Sequence, residues 1–297
     1  MNKKKILIVG GTGFLGTNLI LSLKKFRKFE ITSISRKLPK KKLKQKNLKF
    51  ISADLSNFEN LKKNLKHKNY DVIINLGGNI NHQDKKDTNS SHYELCKNLI
   101  KYFNSKEKLF IQAGSSLEYG KAKSPNLENI KCLPNTIYGK SKFKSTLLLK
   151  KSKFNYVALR LYQIYGPHQK INRIIPLAIY NLLKKNYFES SSGEQIRDFM
   201  YIDDFTQLIL KILFSKNIIS GVYNVGSGNP ISVKKVLKKI EHLTGIKKIN
   251  YNKIEMRKNE PRILYPSINK IKKKFNWTPK ISLRKGLLKT IKFYEQY

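Results

Sequence analysis

The chain opens on an apolar run, Ile6-Leu7-Ile8-Val9, that halts at Gly10-Gly11-Thr12-Gly13. Short runs of the same kind recur at residues 31–35, 48–51, 72–75, 109–112 and 156–160. Each is too short for a helix and reads as a strand. Between them, apolar positions return with helical spacing over residues 14–26, 58–65, 92–103 and 141–150. Ser56-Asn57-Phe58-Glu59 has the spacing of a capping box opening the second of these helices. Strands alternating with helices predict βαβ units and a doubly wound parallel sheet, covered on both faces, in an α/β fold. After Gly166-Pro167 the alternation weakens, and Pro176, Pro230, Pro261, Pro266 and Pro279 punctuate shorter elements. That pattern predicts a smaller, mixed α/β C-terminal lobe. The expected division is residues 1–166 and 167–297, with about 200–226 returning to the first domain.

Composition narrows the functional classes. With 297 residues, 40% of them hydrophobic, the chain can bury a core, which excludes a wholly disordered basic tail. Its 61 Lys+Arg against 19 Asp+Glu give a net charge of +42, which invites nucleic acid or an anionic membrane. The residue type argues otherwise. Arg stands only at 27, 36, 160, 173, 197, 257, 262 and 284, so 53 of the 61 are Lys, spread along the whole chain. Planar, forked contacts to phosphates and bases favour Arg, and a nucleic-acid surface needs a focused patch. A Lys coat of the kind an AT-rich coding sequence produces accounts for the charge, with neither nucleic acid nor membrane as partner. Cys96 and Cys132 offer neither a disulfide framework nor metal-ligand spacing, so no metal is expected and a reducing cytoplasm fits. The basic opening Met1–Lys5 imitates a signal peptide, but its apolar run ends after four residues. No stretch approaches the roughly 18 apolar residues of a membrane span.

Gly10-Gly11-Thr12-Gly13-Phe14-Leu15-Gly16 lies between the first strand and the first helix. Glycines there permit a tight turn and let backbone N–H groups approach a pyrophosphate, and the helix N-terminus adds partial positive charge. At this place the pattern points to a dinucleotide. An NAD site would carry a carboxylate after the second strand, but the chain has Ser35-Arg36-Lys37, which suits a 2′-phosphate. NADP(H) is therefore expected, with NAD(H) as the alternative. Asp54, after the third strand, could accept from an adenine amino group. Further on, Tyr138 and Lys142 share a helix face at i and i+4. A free Tyr titrates near 10, and a neighbouring ammonium lowers that value toward the useful range. Ser115, in Gly114-Ser115-Ser116-Leu117-Glu118-Tyr119-Gly120 after a predicted strand, could hold the oxygen that Tyr138 protonates.

These residues resemble an extended short-chain dehydrogenase/reductase of the NAD-dependent epimerase/dehydratase family. So do Leu159–Pro167, Asn172-Arg173, the run from Gly193 through Arg197-Asp198-Phe199 to Asp203, and Phe275-Asn276-Trp277-x-Pro279. The resemblance covers nearly the full length. It implies a Rossmann-like cofactor domain, a C-terminal lobe for a nucleoside-diphosphate sugar, and a homodimer. It also implies cofactor contacts at Gly10, Thr12, Gly13, Phe14, Leu15, Gly16, Ser35, Arg36, Asp54, Leu55, Leu76, Gly77, Tyr138 and Lys142. Substrate contacts would come from Ser116, Gln163, Asn172, Arg173, Arg197, Arg257 and Glu260. The chain departs from the family's subtypes in informative places. Sugar 4,6-dehydratases carry Asp-Glu after the catalytic Ser/Thr, where this chain has Ser116-Leu117. Leu117 also replaces the Cys of the fucose-pathway epimerase–reductases, although His168 follows Gly166-Pro167. Gln163 stands where 4-epimerases usually have Asn, and Asn75-Leu76-Gly77-Gly78 replaces His-Leu-Ala-Ala. The expected reaction is NADPH-dependent reduction of a nucleotide-linked 4-keto-6-deoxyhexose. A 4-epimerase with tightly bound NAD is the alternative, and a non-catalytic dinucleotide-binding protein is a further one.

Overall fold

A computed structural model describes residues 3–39, 46–66, 68–79, 84–218, 220–256 and 260–296. Most of the basic loop at 37–46, and Arg257, lie outside them. In chain order, the first elements are β1 (Lys4–Val9), α1 (Phe14–Leu23), β2 (Phe29–Ser35), β3 (Leu48–Ser52), α2 (Phe58–Leu65) and β4 (Val72–Asn75). Next come α3 (Lys85–Asn89), a π-helical turn (Ser90–Glu94), α4 (Leu95–Phe103), β5 (Leu109–Ser115), a 3-10 turn (Ser116–Glu118), α5 (Ile137–Lys150), β6 (Asn155–Leu161) and β7 (Gln163–Tyr165). The rest are α6 (Ile174–Leu183), β8 (Phe188–Glu189), β9 (Ile196–Tyr201), α7 (Ile202–Phe214), β10 (Gly221–Val225), β11 (Pro230–Ser232), α8 (Val233–Thr244), β12 (Ile249–Asn250), β13 (Ile263–Leu264), α9 (Asn269–Phe275) and α10 (Leu283–Tyr294).

The seven-stranded sheet runs β10-β6-β5-β4-β1-β2-β3, a Rossmann-like order. Pairings from β3 across to β6 are all parallel. A parallel strand covered on both faces must be apolar on both, which is why Ile6 through Val9 form an unbroken apolar run and are all buried. Parallel register also sets strand ends side by side, with Val9 opposite Asn75 and Asn75 opposite Gln112. The turn after β1, the loop after β4 and Ser115 at the end of β5 therefore share one sheet edge, where open α/β sheets bind ligands.

Three local expectations need correction. The N-cap of α2 is Asn57, whose side chain accepts from Asn60 N; Ser56 does not cap it. Ser56 Oγ instead donates to Asp54 Oδ1 at 2.7 Å. The helix expected at 141–150 begins four residues earlier, at Ile137, because Thr136 Oγ1 accepts from Gly139 N at 3.0 Å. That places Tyr138 in its first turn. The helix expected over 92–103 is interrupted at its start by the π turn.

The chain divides into two compact units. One comprises Met1–Ala122, Glu128–Leu161 and Leu210–Tyr223; the other comprises Lys123–Leu127, Tyr162–Ile209 and Asn224–Tyr297. These bounds differ from 166/167 and from a return over 200–226. The first unit ends at Leu161 because the next strand, β7, pairs with β9, Gln163 lying opposite Phe199. Only Leu210–Tyr223 returns to it. In the second unit β9 also pairs with β11 and β13. Helices α6, α8 and α10 pack on one another around Ile179, Leu182, Leu237, Ile240 and Leu287.

Candidate active site

The glycine turn is built by contact. Gly10 has φ +82°, its N–H donates to Ile34 O at 2.8 Å, and a Cβ there would lie 2.9 Å from Gly77 Cα. A Cβ on Gly11 would meet Ser33 Oγ at 2.1 Å, and one on Gly16 would meet Gly10 O at 2.3 Å. At these three positions only bare backbone fits. Gly13 is its N-cap, with no side chain accepting there and no acidic residue in the first turn that holds Phe14 and Leu15. An uncapped helix N-terminus free of carboxylates fits a pyrophosphate. Thr12 N donates to Ser35 Oγ at 3.2 Å, which ties the turn to the end of β2.

Around this turn, several expected cofactor residues are already engaged. Arg36 Nη1 lies 3.1 Å from Asp87 Oδ1, with side chains 51% and 31% exposed. The other oxygen of Asp87 accepts from Asn79 Nδ2. Asp54 Oδ1 accepts from both Ser56 N and Ser56 Oγ. Leu55 is buried, and its carbonyl accepts from Asn98 Nδ2 at 3.2 Å. Leu76 N donates to Val9 O at 2.9 Å, and Gly77 N to Asn75 Oδ1 at 3.1 Å, so this loop hugs the end of β1.

Ser115, Tyr138 and Lys142 lie at the same edge of the sheet. Ser115 ends β5 and caps the 3-10 turn, its Oγ accepting from Leu117 N at 3.1 Å. A hydroxyl that accepts in this way keeps its own proton for a further acceptor. Lys142 is buried, and its Nζ donates to Ala113 O at 2.8 Å. It lies 5.9 Å from the centroid of the Tyr138 ring. Burial pushes the ammonium down to about 8, against the opposing pull of Glu118 and Cys96. Tyr138 also meets His92, with ring centroids 4.9 Å apart at 76°.

Beneath this set lies a buried carboxylate absent from the expected site. Glu118 is fully buried. Its Oε1 accepts from Ser115 N at 2.9 Å, completing a capping box; its Oε2 accepts from Thr146 Oγ1 at 2.9 Å and Arg160 Nε at 3.0 Å. One carboxylate thus joins β5, α5 and β6. The signal was in the sequence: Ser115-x-x-Glu118 has capping-box spacing. Asp87 was also missed, and nothing in its spacing marks it as a partner for Arg36.

In the second unit, Arg197 is buried, with Nη1 donating to Ile196 O at 2.8 Å and Nη2 to Glu260 Oε1 at 2.5 Å. Glu260 is therefore the partner of Arg197. Gln163, Asn172 and Arg173 are exposed, Arg173 being the N-cap of α6, and Ser116 is buried in the first unit. His168 adopts φ +65° and packs on Phe293 with centroids 4.7 Å apart; burial lowers its pKa. Among the described residues, no cluster of His, Cys, Asp or Glu could hold a metal, and no helix is long and apolar enough to cross a membrane.

A glycine cradle for a dinucleotide and a Ser/Tyr/Lys set at one edge of a parallel sheet define an oxidoreductase fold of the short-chain type. The model of the NAD dependent epimerase/dehydratase family matches residues 6–226, and the chain belongs to that family, within the extended short-chain dehydrogenase/reductases. Its relatives act on nucleotide sugars in several ways. The chain is 27% identical to an uncharacterized UDP-glucose epimerase of Bacillus subtilis, covering 97% of each protein. It is also 27% identical to dTDP-4-dehydro-6-deoxyglucose reductase of Escherichia coli, covering 98% of this chain and 97% of that one. The fold is that of UDP-glucuronic acid 4-epimerase from Bacillus cereus, solved with UDP-glucuronic acid and NAD: TM-score 0.87, 23% identity, 98% of this chain and 99% of the other.

Proposed function

We propose that the protein reduces a nucleotide-linked 4-keto-6-deoxyhexose at C4, with NADP(H) as cofactor. The observation that carries this is the Ser115–Tyr138–Lys142 set at the sheet edge that also bears the glycine turn. The cofactor would be held by Gly10 through Gly16, Ser35, Arg36 and the loop at Leu76-Gly77. When bound, it supplies the hydride. Ser115 Oγ keeps a free proton while accepting from Leu117 N, so it can donate to the substrate carbonyl oxygen. Tyr138 Oη gives that oxygen its proton as general acid. The ammonium of Lys142 stabilises the phenolate left behind. Arg197, with its forked donors, suits a substrate phosphate, and Asn172, Arg173 and Arg257 would add polar contacts to the nucleotide. Glu260 would then exchange part of its hold on Arg197 for the substrate. Ser116 and Leu117 in place of Asp-Glu argue against dehydration.

A second reading, the nucleotide-sugar 4-epimerase with NAD, has its own support. Arg36 already has a counter-ion in Asp87, so a cofactor without a 2′-phosphate needs no exchange of partners there. In that case Tyr138 Oη takes a proton from the C4 hydroxyl and later returns it, with no net use of cofactor. A homodimer in the cytoplasm accords with both readings. The test is a panel of nucleotide-linked keto and non-keto hexoses against NADPH and NADH. Loss of NADPH absorbance with the keto sugar, abolished in Tyr138→Phe, is the expected result. Interconversion of the non-keto sugar without added reductant would replace the first reading by the second.

A further inference from the structure

We propose that His92 is a positioning residue for Tyr138, a role that rests on the function proposed above. The chain spends unusual geometry on this side chain. The helix leading into α4 carries a π turn at Ser90–Glu94, a widening by one residue that recurs at functional sites. Ser91 and His92 within it are both buried. The imidazole lies against the Tyr138 ring in a T-shaped contact at 4.9 Å, an arrangement that fixes ring orientation as well as filling space.

The opposite side of the imidazole is also held. His92 Nε2 is 3.1 Å from Asn79 O. A carbonyl can only accept, so Nε2 carries the proton, and the tautomer and ring plane are set by that bond. Asn79 is in turn fixed by its N–H to Ser91 Oγ at 3.1 Å and by its amide to Asp87. Room for the ring comes from Gly78, which has φ +153°; a Cβ there would lie 2.0 Å from His92 Cε1. The backbone of His92 is pinned to the helix that carries Tyr138, because Ser145 Oγ donates to His92 O at 3.1 Å and bridges to Ser141 O at 2.9 Å. Tyr138 sits in the first turn of α5, where a helix is least constrained by its own hydrogen bonds. Lys142, one turn on, is buried and anchored on β5. His92 adds a ring contact to Tyr138 beside the Thr136 cap on Gly139 N.

The test compares His92→Ala, His92→Phe and His92→Gln in the full chain, each first matched to wild type in thermal unfolding and dinucleotide affinity. Phe keeps a ring beside Tyr138, and Gln keeps an amide donor for Asn79 O without a ring. We expect kcat to fall about 10- to 100-fold in His92→Ala, with KM for the nucleotide sugar changed less than about threefold, the signature of a misplaced catalytic group. His92→Phe should recover much of the loss and His92→Gln little. A kcat within about twofold of wild type in the Ala variant, equal losses in all three, or recovery by Gln and not Phe would overturn the proposal. Enzyme labelled with 13Cζ-tyrosine, with Tyr138→Phe assigning the resonance, separates this outcome from failure of the proposed reaction. If wild type turns over no nucleotide sugar, that reaction fails, and the NMR arm decides alone. The Tyr138 signal should be displaced in His92→Ala and stay near its wild-type position in His92→Phe, whereas an unmoved signal in the Ala variant would overturn the positioning role.

Discussion

Arg160–Glu118 and Arg36–Asp87 are two arginine–carboxylate pairs in the same unit, with nearly equal separations of 3.0 and 3.1 Å. They differ in burial. The first pair has side chains 4% and 0% exposed, the second 51% and 31%. Glu118 cannot release Arg160 without leaving a charge in a dry interior, and its other oxygen is committed to Ser115 N. Asp87 can release Arg36 to water at little cost. One pair is therefore a fixed part of the floor beneath the proposed site, and the other is open to exchange with a ligand anion. Distance alone would have ranked them as equals.

The largest effect tests the floor through the groups it supports. Tyr138→Phe or Lys142→Met should lower kcat by roughly 10²- to 10⁴-fold while leaving dinucleotide binding measurable. Steady-state and binding assays together check this, and an equal loss of binding would move the two residues out of the proton-handling role. Next in size is Glu118→Ala, expected to destabilise by about 3–5 kcal/mol because Arg160 is left charged and unpaired. Urea denaturation measures it. Glu118→Leu combined with Arg160→Met should regain much of that loss, and a double variant as unstable as the single one would show that Thr146 and Ser115 matter more than the charge pair.

A pH dependence follows from Lys142. Burial holds it at about 8, below its ordinary 10.5. Between these values the unfolded chain binds more protons than the folded one, so this group's contribution to stability rises with pH from about 8 to 10.5. The stability difference between wild type and Lys142→Met should shift in favour of wild type across that window, and a flat difference would contradict the burial argument. The smallest effect belongs to the exchangeable pair. Asp87→Asn should change stability by less than about 1 kcal/mol and tighten NADPH by a factor of about five at most. Weaker NADH binding in that variant, with NADPH unmoved, would instead assign Asp87 to the cofactor ribose.

Much of this was legible in the sequence because it is local. Strands β1, β4 and β5 announce themselves as short apolar runs, and the glycine turn is readable because only glycine meets its steric demands. Tyr138 and Lys142 are four apart on one helix, so their juxtaposition is a property of the helix itself. What escaped depends on tertiary contacts. Arg36 looks like a phosphate ligand until α3 brings Asp87 to it, 51 positions later. That Glu260 pairs with Arg197, 63 positions earlier, is likewise visible only in the folded chain. The π turn leaves no periodic trace, since one extra residue merely blurs the spacing. Ser56 and Asn57 are both good helix caps, and only the competing acceptor Asp54 decides between them.

The bare glycine turn has a consequence for how this chain can change over time. Its composition is rich in Lys, Asn and Ile, the residues of AT-rich codons. Every glycine codon begins with GG, so such a bias should erode glycine early. At Gly10, Gly11 and Gly16, any amino-acid replacement would plant a side chain within 2.9 Å of an atom already there. Geometry thus sets a floor beneath mutational bias, and these positions mark where nucleotide composition stops dictating the protein.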